Sequence, residues 1–140
     1  MRLVPAGENT ALVGAWMHEK TGVDFKEGTY QALMVLDDTD TFCAAVIVNN
    51  FRGFDCELSC AAEVQSAWRP HVCAAIAHYL FLQLGCTRVT AKVRKTNKRA
   101  RSTLEGMGFQ LEGRLRKGYD GVKDALIYGL LAGECAYLNE

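Results

Sequence analysis

The stretch that decides the fold is "NKRARSTLEGMGFQLEGRLR", residues Asn97 to Arg116. Its first half predicts a helix, because Thr96 or Asn97 can cap the first helical amides with a side-chain oxygen and Gly108 tolerates the left-handed conformation in which many helices end. From Phe109 onward the stretch predicts a strand. The unit is therefore a helix, a glycine stop and a strand, with several cations at the start of the helix.

The rest of the chain divides into strands and helices around this unit. Apolar runs predict strands, and Pro70 and Gly85 bound an apolar segment that predicts a buried helix. In chain order the predicted elements are "MRLVP" (strand), "ENTALVGAWMHEKTG" (helix), "TYQALMVLDD", "DTFCAAVIVNN" and "FDCELSCAAEV" (strands), "HVCAAIAHYLFLQLG" (helix), "TRVTAKVRK" (strand), "TNKRARSTLEGMG" (helix), "FQLEGRLRK" and "KDALIYGLL" (strands). A strand, a buried helix and a second strand require a parallel crossover, whereas hairpins are antiparallel. The predicted class is α/β of mixed α+β type, with a mostly antiparallel sheet of six or seven strands flanked by three or four helices.

Length and composition fit one domain over residues 1–140, since 49% of the residues are hydrophobic and can form a core. No run of 18 apolar residues occurs, and the start "MRLVPAGENT" lacks the apolar segment of a signal peptide. We therefore expect a cytoplasmic protein without a membrane partner.

The six cysteines form no C-x-x-C pair and lie mostly in apolar runs. This pattern favours reduced, buried thiols over disulfides or metal ligands. His71 and His78 lie seven residues apart on a predicted helix, but no third ligand converges on them. We expect no metal site.

Charge is balanced overall but uneven along the chain. Residues 1–87 hold five basic and ten acidic residues, whereas residues 88–117 hold ten basic and two acidic ones. A locally positive face follows, which suits a polyanionic ligand. A nucleotide cofactor and a nucleic acid both remain candidates.

The deciding stretch also carries a sequence pattern, N-x-x-A-x-x-x-L-E-x-x-G-F-x-x-E-G. It is formed by Asn97, Ala100, Leu104, Glu105, Gly108, Phe109, Glu112 and Gly113. The pattern and the element order resemble the GNAT superfamily of acyl-CoA-dependent N-acyltransferases, in particular Rim-type protein N-acetyltransferases and small phage-encoded relatives. The resemblance implies an acetyl-CoA-dependent enzyme that moves an acetyl group directly to a primary amine of a protein or small molecule.

The resemblance also implies where the cofactor binds. In a GNAT fold the strands near 56–62 and 88–94 splay apart, and the pantetheine arm takes the place of a strand. Asn97 matches a position that hydrogen-bonds the cofactor, a role compatible with the N-cap. Arg101, with its neighbours Lys98 and Arg99, would border the phosphates or the acceptor, unless these cations form only a solvated helix face.

The backbone of the strand that contains Cys60 is also part of the expected cofactor site. A backbone N–H of Cys60, Ala61 or Ala62, freed by a β-bulge, would polarise the acyl carbonyl.

The family's phosphate loop reads Q/R-x-x-G-x-G/A, but the corresponding "QSAWRPHVCA" lacks both glycines. Here Pro70 removes a donor, while Arg69 adds a positive charge. Trp68 packs on the cofactor or covers the core, and His71 and Val72 contribute from the first helical turn.

For the chemistry, Glu57 is the candidate general base, and an exposed strand carboxylate without a role is the alternative. Glu63 is the second choice. The family's tyrosine acid falls at Leu104, so water, Ser102 or Tyr119 must replace it, or the thiolate leaves as an anion. A covalent route through a cysteine is disfavoured because direct transfer is the family norm.

Two other functions stay open at this point. The basic run 88–117 fits a GNAT relative that acts on a nucleic-acid-linked amine, such as a modified DNA base or a charged tRNA. The missing glycines and tyrosine fit a GNAT-shaped binding module without catalysis. A homodimer is also left open.

Overall fold

The computed structural model describes residues 1–138, and its element order is the predicted one. The elements are β1 (Arg2–Pro5), α1 (Thr10–Thr21), β2 (Tyr30–Leu36), β3 (Phe42–Asn49), β4 (Asp55–Ala62), α2 (Pro70–His78), β5 (Arg88–Arg94), α3 (Lys98–Met107), β6 (Gln110–Leu115) and β7 (Ala125–Leu131). Helix α2 continues into a π-helical turn, Tyr79–Gln83. Within the described residues, none of the helices is long and apolar enough to cross a lipid bilayer.

All seven strands form one sheet in the order β1-β2-β3-β4-β5-β7-β6. Neighbouring strands are antiparallel except for β4 and β5, which are parallel. The exception arises because α2 connects β4 to β5 and returns the chain to the same end of the sheet. The predicted mixed, mostly antiparallel sheet is confirmed.

The core lies on both faces of the sheet, because alternate residues of each strand point to opposite sides. On one face Val46 and Val48 of β3 belong to the same buried cluster as Ile76 of α2 and Leu104 of α3. On the other face Ile47 packs in a second cluster with Val13 and Met17 of α1. Helix α2 is buried as predicted.

The helix in the stretch Asn97 to Arg116 has the expected residues at its two ends, an N-cap and a terminating glycine. Asn97 caps α3, since its Oδ1 accepts a hydrogen bond from the Ala100 amide at 3.1 Å. Gly108 ends the helix with φ of 108°, and a Cβ built there would lie 2.4 Å from the backbone oxygen of Glu134. Both the backbone conformation and the close approach therefore require glycine at this position.

We predict that Gly108→Ala lowers the free energy of unfolding by about 2–4 kcal/mol, because it adds backbone strain to a steric clash. Gly106→Ala is the matched control: Gly106 lies in the same helix, and a Cβ there meets no atom within 4 Å. The control should leave stability unchanged or raise it by up to about 1 kcal/mol, because alanine favours helix. Urea unfolding measures both variants, and equal stability of the two would contradict this account of the helix end.

Candidate functional site

The central feature of the site is a gap between two parallel strands. β4 and β5 pair at only four positions, from Asp55 opposite Arg88 to Leu58 opposite Ala91. Beyond that point β4 stays paired with β3, and β5 stays paired with β7. The strands therefore diverge while each keeps its other neighbour, and the predicted splay between 56–62 and 88–94 is confirmed.

A cavity of about 630 Å³ occupies this gap. Residues 57–62 of β4 and 91–94 of β5 form its two sides, and residues of α1 and α3 extend the wall. Because the facing strand edges lack a pairing partner, their backbone N–H and C=O groups require one. An extended molecule with amide groups can supply these hydrogen bonds as an added strand would.

The structure brings some of the predicted cofactor residues to this cavity and leaves others outside it. Those that line the cavity are Cys60, Ala61, Ala62, Trp68 and Asn97. Those outside the lining are Arg69, His71, Val72 and Arg101.

Arg101 differs most from the expectation. Its Nε donates a hydrogen bond to Tyr128 Oη at 3.1 Å, and its Nη1 donates to the Lys95 carbonyl oxygen at 3.1 Å. The side chain thus fastens α3 to β7 instead of facing the gap. The cation of α3 that lines the cavity is Arg99.

At the start of α2 two of the first backbone amides bond within the helix, and Pro70 has no N–H to donate. The amides of Val72 and Cys73 both donate to the Arg69 carbonyl oxygen, each at 3.0 Å. The Val72 side chain is 1% exposed and lies in the core, and His71 Nε2 lies 2.7 Å from the Met1 carbonyl oxygen. Arg69 is exposed just before the helix, where a fixed cation and the helix dipole both favour an anion.

Cys60 is exposed to the cavity, whereas the other five cysteines are buried. The expectation of six buried thiols is therefore wrong at this position, because Cys60 lies on the diverging part of β4 and lines the cavity. The surrounding wall of the cavity desolvates the thiol and, with a smaller contribution from Cys73, raises the pKa of Cys60 to about 12. A thiol that stays protonated at neutral pH is a poor nucleophile, which favours direct transfer.

The β-bulge expected in β4 is not present. The pairing of β3 with β4 runs without a register shift from Asn49 opposite Glu57 to Ala44 opposite Ala62. Amides over 59–62 that face β5 are freed by the divergence of the two strands instead. They keep the expected ability to polarise a carbonyl.

Glu57 lies in the cavity wall, half-buried, at the last part of β4 that still pairs with β5. Its Oε1 is 3.6 Å from the Nζ of Lys92, and the two side chains are 32% and 41% exposed. Glu57 sits opposite Asn49 on β3 and Thr90 on β5, so these three side chains share the face that α1 covers. The carboxylate is placed where a substrate in the gap can reach it.

Glu63, the second candidate base, lies outside the cavity lining. Its carboxylate accepts hydrogen bonds from Trp16 Nε1 at 2.7 Å and from Lys20 Nζ at 3.2 Å. These hydrogen bonds, that of Trp16 first, lower the pKa of Glu63. The residue fastens the end of β4 to α1.

Of the residues considered as proton donors, Tyr119 lines the cavity and Ser102 does not. Leu104 is 6% exposed and forms part of the cavity floor where the family has a tyrosine. The Tyr119 ring lies against the guanidinium of Arg94, with 5.0 Å between the ring centroid and the guanidinium carbon.

Sequence reasoning missed two polar residues of this site, Asn49 and Arg94. Both line the cavity, and within residues 1–138 the buried atoms Asn49 Oδ1 and Arg94 Nε have no hydrogen-bond partner. Buried polar atoms are nearly always hydrogen-bonded in native proteins. An unpartnered acceptor and donor in one cavity therefore indicate a ligand-binding site.

Comparison with solved structures reveals close likeness in fold. A point mutant of spermidine N-acetyltransferase SpeG from Vibrio cholerae matches with a TM-score of 0.80 at 13% identity, over 99% of this chain and 98% of that chain. A chimera of that enzyme with hSSAT gives 0.79 at 14% identity, over 99% and 100%. The dodecameric structure of the V. cholerae enzyme in an intermediate state gives 0.77 at 14% identity, over 99% and 96%.

No protein-family model matches the sequence, and no curated protein matches it. At identities of 13% and 14% the structural likeness establishes the fold. The strand order, the parallel pair and the splay agree with the resemblance that the Asn97–Gly113 pattern indicated. The chain thus has the fold of the GNAT superfamily of N-acetyltransferases.

Proposed function

We propose that this protein is an acetyl-CoA-dependent N-acetyltransferase that moves an acetyl group directly to a primary amine of a protein or small molecule. The observation that carries the proposal is the gap between β4 and β5, which leaves two strand edges without a partner beyond Leu58 and Ala91. The solved structures with this fold are named as enzymes of the same reaction type.

The residues present fit the cofactor. The amides of a pantetheine arm complement the unpaired edges of residues 59–62 and 92–94, as an added strand does. Arg99 lines the cavity, and Arg69 is exposed at the start of α2, one residue after the lining residue Trp68, so both are proposed to pair with the phosphate groups. Asn97 remains a proposed hydrogen-bonding partner in addition to its capping role.

Glu57 acts as the general base in this proposal. An alkyl amine with a pKa of about 10.4 arrives protonated at neutral pH and must lose a proton before it attacks. Glu57 takes that proton directly or through a water molecule. As the amine nitrogen bonds to the acyl carbon, a backbone N–H from 60–62 stabilises the developing oxyanion.

Collapse of that tetrahedral species breaks the carbon–sulfur bond and releases a thiolate. Tyr119 lines the cavity and is the proposed donor that returns a proton to the sulfur, and solvent is the alternative. The nitrogen loses two protons, one before it attacks and one from the tetrahedral species as the amide forms; the thiolate takes up one proton and the other passes to solvent.

The nucleic-acid alternative is less well supported, because some cations of the basic run are engaged in ion pairs. Arg88 pairs with Glu112 at 2.5 Å, and Arg114 pairs with Asp124 at 3.2 Å. These pairs reduce the positive charge available for phosphate contacts. The binding-module alternative is disfavoured because a carboxylate and a tyrosine both face the gap.

The phosphate assignment predicts that Arg69→Ala weakens acetyl-CoA binding by at least about tenfold, since charge-assisted hydrogen bonds to phosphate are strong. A pantetheine fragment without the phosphates should bind the variant and the unchanged protein equally. Isothermal titration calorimetry measures both ligands. Equal losses for the two ligands would refute the assignment, and Arg99→Ala tests whether the second cation shares the role.

The base assignment predicts that Glu57→Gln keeps its affinity for acetyl-CoA but lowers turnover by about 10²–10⁴-fold. The loss should shrink between about pH 6 and about pH 9, because a larger share of the amine is already neutral at high pH. Steady-state kinetics with a panel of primary amines measures this.

Glu63→Gln is the matched control, since Glu63 lies outside the cavity lining and its carboxylate is occupied by Trp16 and Lys20. It should retain most of the turnover. Unchanged turnover of Glu57→Gln over the whole pH range would remove Glu57 from the mechanism, and loss of acetyl-CoA affinity would assign it a structural role instead.

A further inference from the structure

The cavity contains a cation, Arg94, that forms no ion pair within residues 1–138. Arg94 is the last residue of β5, at the end of the strand edge that β4 leaves unpaired. Its Nη2 donates a long hydrogen bond, 3.4 Å, to the Thr21 carbonyl oxygen, and its guanidinium stacks on the Tyr119 ring. Nε is buried without a hydrogen-bond partner among residues 1–138. The guanidinium is therefore held in place on two sides with donor capacity left over.

The nearby carboxylates form no ion pair with this cation within residues 1–138, although the charge of Asp120 offsets part of it. Two hydrogen bonds that Asp120 Oδ1 accepts from the amides of Lys123 and Val122 lower the pKa of Asp120. The charge of Arg94 makes a smaller contribution in the same direction. Glu57 lies 3.6 Å from Lys92. In the described part of the chain, no carboxylate lies within ion-pair distance of Arg94, whose guanidinium geometry suits bidentate binding of an oxyanion.

The cavity as a whole is positive. Its charged lining residues are Lys20, Glu57, Lys92, Arg94 and Arg99, four cations and one anion. Glu63, which pairs with Lys20, offsets part of this charge from outside the lining. Lys92 is paired with Glu57, Lys20 is paired with Glu63, and Arg99 is assigned to the cofactor phosphates. Arg94 is therefore the lining cation left for the acceptor, and it favours an acceptor that carries negative charge.

Asn49 adds a hydrogen-bond acceptor, its Oδ1, beside the proposed base Glu57. It lies opposite Glu57 in the register of β3 and β4, and its Oδ1 is buried without a partner among the described residues. One cavity thus presents a guanidinium donor, an amide oxygen and a carboxylate. This set complements a small molecule that has an oxyanion and an amine N–H.

Resting on the proposed function, we propose that the acceptor is an amine that also bears an anionic group, a carboxylate or a phosphate, and that Arg94 binds this group while Asn49 and Glu57 face the amine. Arg94 is then a specificity-determining residue. A polyamine such as spermidine, the acceptor in the names of the similar structures, is disfavoured in this site.

Matched pairs of acceptors test the proposal and distinguish the two anions. L-alanine is compared with L-alaninamide for the carboxylate, and phosphoethanolamine with ethanolamine for the phosphate, with spermidine as the polycation. Binding is measured by calorimetry with coenzyme A present, and turnover is measured with acetyl-CoA. We expect kcat/KM for the better anionic acceptor to exceed that of its uncharged partner by at least about tenfold, with spermidine lowest.

Arg94→Gln should abolish this preference mainly through KM, because it removes binding that is equal in the ground state and the transition state. Arg94→Lys should keep part of it, since it retains the charge but not the planar fork. Lys26→Gln is the control for net charge, because Lys26 is exposed and outside the cavity lining. Melting temperatures of the three variants show whether each is folded. If Arg94→Gln does not fold, the comparison rests on Arg94→Lys.

The outcomes test two claims separately: that the acceptor is anionic, and that the protein is an acetyltransferase. Equal or better binding and turnover of spermidine or the uncharged partners would overturn the anionic acceptor, as would binding of none of the probes. Arg94-dependent binding of an anionic probe without any acetylation would support the anion site while overturning the proposed function. Absence of acetyl-CoA binding would overturn the proposed function alone.

Discussion

The structure depends on the point at which β4 and β5 cease to pair. The two strands are held together from Asp55 and Arg88 as far as Leu58 and Ala91, and then separate. Each remains fixed on its other side, β4 to β3 and β5 to β7. The gap is therefore part of a stable sheet, and its unpaired backbone groups create the need for a ligand that hydrogen-bonds like a strand.

The functional groups converge because they lie at the margins of this gap. Glu57 is at the last paired segment of β4, Arg94 ends β5, and Asn97 begins α3 immediately afterwards. Helix α1 closes the same face through its packing on Ile47 and the bonds from Trp16 and Lys20 to Glu63. The fold thus places a base, a cation and a helix cap around one cavity without a dedicated loop.

Much of the fold could be predicted from the sequence, since its signals are local. Alternation in "TRVTAKVRK", Pro70 at the start of α2 and Gly108 at the end of α3 each mark an element by its own chemistry. The site was harder to predict from the sequence than the fold. The pairing of Asn49 with Glu57 depends on strand register, and Arg101 turns to Tyr128, a residue 27 positions away on β7.

The environments of Cys60 and Arg94 were also not predicted, because they depend on contacts between residues that are distant in sequence. Cys60 lies in a run that predicts burial, but it is on the diverging part of β4 and lines the cavity. Arg94 alternates like a surface residue of β5, and its unpartnered Nε is evident only once α1 and Tyr119 are in place. Local pattern identifies an element, whereas the contents of a cavity follow from the way several elements meet.

Amide hydrogen exchange measured with and without coenzyme A tests the central claim most directly. We expect coenzyme A to slow exchange in segments 59–62 and 92–94 far more than in β6, because pantetheine hydrogen-bonds the two unpaired edges. The nucleotide part alone, 3′-phosphoadenosine 5′-diphosphate, should leave those segments exchanging fast. Equal protection by the nucleotide alone, or protection confined to other segments, would contradict the account.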